Sequence, residues 1–210
     1  MKLLLLIFFF TSCAGYNLVS RTNPFEQYNI STLAVPMFYN NTNLAGVSAL
    51  FTGEVINVLS PFNGLKIVSK DNADAHLIGI ITSADKRSET IKGINKKSAK
   101  NLYEDQIGGR DDFFLYSSNR ISLSVRFILI KHPTKEQIKL LKNLDQGKLL
   151  SSKILLDEKI NISQSFNLKE LDEAGVDVLG TQNKGLERKA IELLAQKAAT
   201  DFKEIILYAY

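Results

Sequence analysis

The sequence is short of the residues on which enzymes and metal proteins most often depend. It contains one cysteine, Cys13, and two histidines, His76 and His132, among 210 residues. A single thiol excludes an internal disulfide framework, and it excludes zinc or redox sites that need several cysteines. The sequence has no glycine-rich phosphate loop, no calcium-loop spacing and no pair of metal-binding residues at a known spacing. It therefore indicates no cofactor, and the enzyme class is disfavoured.

Three features that resemble parts of catalytic sites have simpler explanations. The stretch from Gly46 to Leu50 lacks the closing glycine of a nucleophile elbow, and its serine falls inside a predicted helix. His76 lies next to an apolar strand, where a structural role is the more common one. His132 precedes a proline and is predicted to be a surface turn residue. None of the three supports a hydrolase.

Charge also limits the possible partners. The chain carries 26 basic and 22 acidic side chains, a formal net charge of +4. Removal of Lys2 with the N-terminal segment described next reduces this to +3, which is too small to indicate a general nucleic-acid binder.

Residues 1–12 have the pattern of an export signal. Lys2 is followed by an uninterrupted apolar run from Leu3 to Phe10 and then by two small polar residues before Cys13. This run spans roughly 12 Å as a helix, against about 30 Å of membrane hydrocarbon, so it is too short to cross a bilayer. Ordinary signal cleavage needs small residues at positions −1 and −3, but Phe10 occupies −3. The stretch instead resembles a bacterial lipobox, in which the cysteine thiol is acylated.

The chain is therefore expected to have three parts. Residues 1–12 are predicted to be a lipoprotein signal peptide, and residues 13–29 an acylated N-terminus and tether. Residues 30–210 are predicted to form a single α/β sandwich domain, because 45% apolar residues are enough for one well-buried core.

Periodic patterns divide that domain into strands and helices. Alternating apolar residues predict strands at 30–38, 121–130 and 153–163, and of two apolar runs at 65–69 and 75–82 the second predicts a further strand. Apolar residues three and four positions apart predict helices at 44–59 and 183–207, with a shorter helix from Thr134 to about Asn143. The order strand, helix, strand, strand, strand, helix predicts an α+β two-layer sandwich. Its mixed sheet has about four strands, and both helices lie on one face.

Local signals refine this prediction. Residues 75–82 are apolar almost throughout, as an interior strand would be, and should pair in antiparallel fashion with 121–130. Residues 40–43 offer side-chain oxygens to cap the first helix, and residues 134–137 have capping-box spacing. Glu158 falls on an apolar strand face and must reach solvent or a partner. Residues 84–119 are polar and are predicted to form a long connection.

Several segments together resemble the LptE-type lipopolysaccharide-assembly lipoproteins. They agree with that family in order and spacing, although each alone is a loose match. They are Cys13-Ala14-Gly15-Tyr16, the run from Leu33 to Thr42, Phe51-Thr52, the run from Ala73 to Ile81, and Ala190, Leu193, Leu194, Ala198 and Ala199 of the last helix.

The resemblance implies an outer-membrane lipoprotein that faces the periplasm and is held in the membrane by its lipid anchor. It implies that the chain sits within a large LptD-type β-barrel, supports assembly of that barrel and plugs it, and helps to deliver lipopolysaccharide to the outer leaflet. Two alternatives share the anchor and the fold: a tethered module that binds a small periplasmic ligand, and a structural subunit of another envelope secretion apparatus.

Basic residues of the 84–119 stretch are the candidate contact residues. They follow an interior strand, so a rigid element would fix where the stretch begins, and between Asp85 and Lys97 five basic residues stand against two acidic ones. We expect them to lie near one end of the sheet and to contact anionic lipid head groups or an acidic barrel surface. These residues are Lys86, Arg87, Lys92, Lys96 and Lys97.

Replacement of Cys13 tests the lipid anchor. Cys13→Ala should yield an uncleaved or soluble periplasmic product, because no thiol remains to carry the acyl chains that hold the protein in the bilayer. Membrane fractionation and intact mass of the purified protein measure this. A variant with unchanged fractionation and unchanged processing would contradict the assignment.

Overall fold

The computed structural model describes residues 22–84, 91–98, 114–138, 153–169 and 176–208. Two α-helices and seven named strands lie in these ranges, together with 3₁₀ turns at Glu26–Tyr28 and Lys70–Asn72 and a helical turn at 135–138. The helices are α1, Val47–Leu59, and α2, Val176–Tyr208. The strands are β1 Thr32–Ala34, β2 Tyr39–Asn40, β3 Lys66–Ile67, β4 Ala75–Ser83, β5 Ile91–Ser98, β6 Phe114–Lys131 and β7 Ile154–Asn167.

The strands form one mixed sheet centred on β6. Along one edge of β6, β7 pairs in antiparallel fashion. Along the other edge lie first β4 and then β5, both also antiparallel. Strands β1 and β2 pair with β4 in parallel, and β3 pairs in parallel with β1. The α+β class, the interior position of β4 and its antiparallel pairing with β6 are confirmed, although the sheet has seven strands rather than about four.

Both helices pack on the same face of the sheet. The odd-numbered residues of β6 from Ile121 to Leu129 point toward the helices and are fully buried. Phe127 lies at their centre: its ring stacks on that of Phe202 of α2 at 4.5 Å between centroids and meets Phe38 edge to face at 5.8 Å. Phe38 in turn covers Gly79 of β4 so closely that a methyl group there would overlap the ring. The alternation that predicted strand β6 therefore also builds the core.

Helix α2 begins at Val176, earlier than the predicted Asn183, and runs to Tyr208. Its apolar stripe includes three small residues, Ala195, Ala198 and Ala199, all buried at 1% exposure or less. The apolar stripe predicted from the sequence is the face of the helix that packs on the sheet. Its small side chains let the helix axis approach the sheet closely.

The prediction of a long connection at 84–119 was wrong in part. Residues 91–98 form β5, and β6 begins at Phe114 instead of Ile121. Ile91 pairs with Ile121 and Ser98 with Phe114, so the two strands extend the sheet as an arm. In this arm the odd-numbered and the even-numbered residues are both mostly polar, so the sequence shows no alternation of apolar and polar residues. Residues 85–90 and 99–113 lie outside the described residues.

The prediction that residues 40–43 cap the first helix was also wrong. Helix α1 begins at Val47, and its N-cap residue is Gly46, in a left-handed conformation with φ of 75°. Asn40 instead holds the preceding turn together. Its amide donates to the carbonyl of Leu44 at 2.7 Å, and its side-chain oxygen accepts from the backbone of Thr42 at 2.9 Å. Asparagine satisfies its own local backbone here, which is its usual competing role.

The second capping prediction is confirmed. The Thr134 hydroxyl accepts from the backbone N–H of Gln137 at 3.3 Å, and the Gln137 side chain accepts from the backbone N–H of Thr134 at 2.9 Å. This reciprocal pair begins the helical turn at 135–138, beyond which the predicted helix leaves the described residues. Glu158 lies exposed on β7, so it reaches solvent as expected.

The folded domain starts before Ile30. Phe25, which the sequence placed in the tether, is fully buried. The amide of Asn23 donates to the carbonyl of Ile30 at 2.6 Å, and its oxygen accepts from the backbone of Phe25 at 3.0 Å. One apolar ring and one buried amide thus fix residues 23–30 against the sheet, a local contact that composition alone could not reveal.

Asp74 joins the start of β4 to the start of β1. One of its carboxylate oxygens accepts from the backbone of Ser31 at 3.0 Å and from that of Thr32 at 2.9 Å, while its own N–H donates to the Thr32 hydroxyl at 3.0 Å. Interaction with the Thr32 side chain, followed by the amides of Ser31 and Thr32, lowers the pKa of Asp74 to about 2. The ionised carboxylate is therefore the form that stabilises this junction.

Asp74→Asn should lower the free energy of unfolding at pH 7. The pKa is lower in the folded state than its ordinary value of 3.8, so the contribution is complete above pH 3.8 and is lost as the pH falls through about 2. The difference between the variant and the parent should accordingly shrink below pH 4. Urea unfolding at several pH values measures it, with Asp71→Asn as the matched control. A difference that stays constant from pH 7 to pH 2 would contradict this role.

Candidate functional site

The face of the sheet opposite the helices is the candidate site, and we call it the open face. Even-numbered residues of β6 from Arg120 to Ile130 point toward it, since their odd-numbered neighbours face the helices. This face has two parts of different chemistry, which meet near Arg126.

The apolar part is already covered. Ile78, Ile80, Ile128 and Ile130 form a second hydrophobic cluster whose members are at most 4% exposed. Tyr39, Ile138 and Ile154 pack against it. Ile138 belongs to the helical turn that the capping box begins, so the segment after β6 folds back over this end of the sheet. This part of the open face is not available to a partner.

The polar part continues along the arm, and we call it the polar stripe. Its residues come from three adjacent strands and combine four basic side chains and one carboxylate with serine and asparagine. They are Lys92 of β5, Arg120, Ser122, Ser124 and Arg126 of β6, and Asp157, Lys159, Asn161, Ser163 and Ser165 of β7. In the part of the chain that the structure describes, neither α1 nor α2 covers this stripe.

Arg126 and Asp157 close the stripe where it meets the apolar part. The guanidinium Nε and a terminal nitrogen each lie 2.7 Å from one carboxylate oxygen, a two-point contact. The side chains are only 14% and 18% exposed. Hydrogen bonding to Asp157 raises the pKa of Arg126, so the guanidinium remains charged at every relevant pH. This pair is structural, because both of its charges are already matched.

Three cations of the stripe, Lys92, Arg120 and Lys159, remain accessible. Lys92 and Arg120 pair directly across β5 and β6, and both are exposed. The Nε of Arg120 donates to the Ser165 hydroxyl at 3.2 Å. Two neighbouring cations, one with a planar fork of donors, suit a phosphate or a carboxylate.

Ser124 adds a buried hydroxyl to the same face. It is 1% exposed, and its Oγ makes no hydrogen bond within the described residues. Burying a hydroxyl without a hydrogen bond costs roughly 1–3 kcal/mol. A polar group at this position is therefore not explained by packing alone.

The structure places only part of the predicted contact set. Lys92 lies on the stripe beside Arg120. Lys96 and Lys97 lie in β5 opposite Tyr116 and Leu115, and their side chains fall outside the description. The predicted contacts Lys86 and Arg87, like the predicted anchor Cys13, lie outside the described residues.

Sequence reasoning missed Arg120 and Lys159 as site residues. A signal for Arg120 was present, since polar residues alternate with apolar ones along β6. To place the polar residues of β6 beside those of β7, the register between the two strands must be known. In that register Arg126 lies opposite Lys159, and Ser122 lies opposite Ser163. Two strands distant in the sequence thus form one surface.

The remaining candidates are structural. His76 is 7% exposed, and burial lowers its pKa, so the imidazole is neutral at pH 7. Among the described residues, no group of three or more potential ligands could hold a metal ion. Within the same ranges, neither helix is both long and apolar enough to cross a membrane.

Breaking the ion pair between Arg126 and Asp157, the inner ion pair, should lower the free energy of unfolding far more than breaking an exposed ion pair. Arg126→Met leaves the carboxylate of Asp157 shielded from water without its partner and should lower the free energy of unfolding by about 1–3 kcal/mol. Arg188→Met is the control, because Arg188 is 79% exposed and 3.7 Å from Glu192, and it should cost less than about 0.5 kcal/mol. Urea unfolding compares the two, and equal costs would contradict the account.

Three of the solved structures with a similar chain trace are lipoproteins. A lipoprotein from Caulobacter crescentus is 10% identical over 81% of this chain and 88% of its own, with a TM-score of 0.42. Uncharacterized lipoprotein B from Nitrosomonas europaea is 12% identical over 90% and 85%, with a TM-score of 0.43. Rare lipoprotein B from Shewanella oneidensis is 11% identical over 85% and 92%, with a TM-score of 0.34.

These TM-scores are all below 0.5, so the likenesses carry no argument about function. No curated protein matches the sequence. The evidence for a family comes from the sequence itself, because a family model described as lipopolysaccharide-assembly (LptE) matches residues 30–203, which include α1 and every strand of the described structure. The chain therefore belongs to the lipopolysaccharide-assembly (LptE) family.

Proposed function

We propose that this protein is an outer-membrane lipoprotein of a lipopolysaccharide translocon. Acyl chains on Cys13 hold it in the membrane, and the folded domain faces the periplasm. It supports and plugs a large LptD-type β-barrel and helps to deliver lipopolysaccharide to the outer leaflet. The polar stripe is the observation that carries this proposal, because it is a long hydrogen-bonding surface with accessible cations on a face that the helices leave free.

The dimensions of the domain suit a place inside a barrel. Strand β6 has 18 residues and extends roughly 60 Å at about 3.3 Å per residue. Helix α2 has 33 residues and extends roughly 50 Å. Both long elements lie in one narrow two-layer body. The lumen of an outer-membrane barrel is polar, so an inserted domain needs polar contacts of the kind that the stripe offers.

The charges of the stripe suit lipopolysaccharide. Lys92 and Arg120 are exposed and adjacent, and their cationic groups can form charge-assisted hydrogen bonds with lipid phosphates. We propose Lys86, Arg87, Lys96 and Lys97 as further basic contacts. Serine and asparagine residues of the stripe would then bind sugar hydroxyls or polar groups of the barrel wall.

Partner contact rather than catalysis is the proposed activity. A catalytic site needs a nucleophile or base within reach of a substrate pocket. The buried His76 is neutral and faces an isoleucine cluster, and Asp74 is occupied by backbone groups of β1. The ionisable groups whose pKa values are clearly shifted thus already have structural roles.

A small-ligand function rests on a different feature. An open groove of about 510 Å³ lies beside the N-terminal segment. The groove is open to solvent, whereas typical small-molecule pockets are enclosed. The groove is therefore the weaker basis for a function. Its lining residues are Thr22, Asn23, Glu26, Asn29, Ile30, Ser31, Asn63 and Gly64.

Neutralising the two exposed cations that pair across β5 and β6, Lys92 and Arg120, tests lipopolysaccharide contact. Lys92→Gln/Arg120→Gln should bind purified lipopolysaccharide at least fivefold more weakly than the parent at low salt. The difference should narrow toward 1 M salt, where the Debye length falls to about 3 Å. Fluorescence titration of the detergent-solubilised protein measures both affinities.

The matched control is Lys66→Gln/Arg188→Gln, which removes the same charge from exposed positions off the stripe. This control should bind as the parent does. Equal affinity of the stripe variant and the parent at low salt would remove the stripe from lipopolysaccharide recognition.

A further inference from the structure

The outer edge of β7 is the longest unpaired strand edge in the described structure. In the ranges that the structure describes, β7 pairs with β6 alone. From Leu156 to Asn167 the register is regular, with no bulge to turn the edge away. These residues present a row of backbone N–H and C=O groups about 40 Å long at roughly 3.3 Å per residue.

This edge lacks the usual protection. Natural edge strands avoid pairing with other chains by being short, by carrying charge or by containing proline. Strand β3 has two residues, and β5 carries three lysines. By contrast, residues 160–167 of β7 contain no charged residue and no proline, although 23% of the whole chain is charged. The edge is therefore suited to pairing with a strand of another chain.

The side chains along this edge define what would cover it. Ile160, Ile162 and Phe166 point toward the helix side and are packed against the core. Asn161, Ser163 and Ser165 alternate with them and are exposed on the open face. A strand added next to β7 would place its own side chains opposite these two rows. Apolar residues would match one row and uncharged polar residues the other.

A second copy of this chain does not fit that position. Helix α2 packs on β7, so that Leu156 and Ile162 are only 4% and 2% exposed. Antiparallel pairing of two β7 edges would place both α2 helices on the same face of the joined sheet. Adjacent strands lie about 4.8 Å apart, whereas packed helices need 8–10 Å. For antiparallel pairing, the occupant must therefore be a strand with no helix above it.

We propose that the outer edge of β7 binds an extended segment of another protein by strand addition. The segment alternates apolar residues with uncharged polar ones over about eight positions. Backbone hydrogen bonds provide the affinity, and the two rows of side chains set its orientation. This inference stands without the proposed function. If that function is also correct, transmembrane strands of a β-barrel have the required alternation.

A short peptide tests the proposal with the full chain in detergent. The probe is a fluorescein-labelled octapeptide in which valine or isoleucine alternates with serine, threonine or asparagine. Fluorescence anisotropy measures its binding to the parent, to Asn161→Lys/Ser163→Lys and to the control Asn43→Lys/Gln196→Lys. All four positions are exposed, and both variants add the same charge. The edge variant should bind at least tenfold more weakly, because lysine blocks strand edges, and the control should match the parent.

Methylation of the peptide backbone isolates the hydrogen bonds and needs no variant. Two further peptides carry N-methyl groups on all odd or on all even residues. At least one of these two peptides should bind the parent tenfold more weakly than the unmodified peptide does, because methylation removes the N–H donors along one edge of the peptide. No binding of the unmodified peptide, equal binding of all three peptides, or equal binding by the edge variant and its control would overturn the proposal. A concentration-dependent dimer that the edge variant abolishes would overturn it in favour of a second copy.

Discussion

Pairing of β6 with strands on both of its edges is the constraint on which the rest of the structure depends. Side chains of a strand alternate between two faces, so one uninterrupted strand must serve two surfaces at once. The odd-numbered residues of β6 bury themselves beneath the helices around Phe127. The even-numbered residues build the open face. A shift of one residue in the register would exchange the core with the polar stripe, and so the fold and the site are specified together.

The sequence predicted the parts of the fold that follow a period. Alternation identified β6 from Ile121 onward, and spacing of three and four identified the buried stripe of α2. The arm was missed because β5 and residues 117–120 of β6 are mostly polar on both faces, so they form strands through pairing and not through burial. The turn built by Asn40 was missed for another reason. Asparagine suits either a helix cap or a local turn, and only tertiary contacts decide between them.

The candidate site was only partly predictable. The sequence identified Lys92 as a basic residue that follows a central strand. Arg120 lies beside Lys92 only because of the register between β5 and β6. The inner pair of Arg126 and Asp157 joins residues 31 positions apart. It separates the covered isoleucine cluster from the exposed part of the stripe. The open face is therefore a closed hydrophobic patch at one end and an accessible polar surface along the arm.

Site-specific crosslinking in intact cells tests most directly whether the polar stripe meets the barrel. A photoreactive residue would replace Arg120 on the stripe and, separately, Arg188 on the exposed side of α2. The account predicts that position 120 captures a large outer-membrane β-barrel protein and that position 188 does not. Capture of the barrel from position 188 but not from position 120, or of a different partner from position 120, would contradict it.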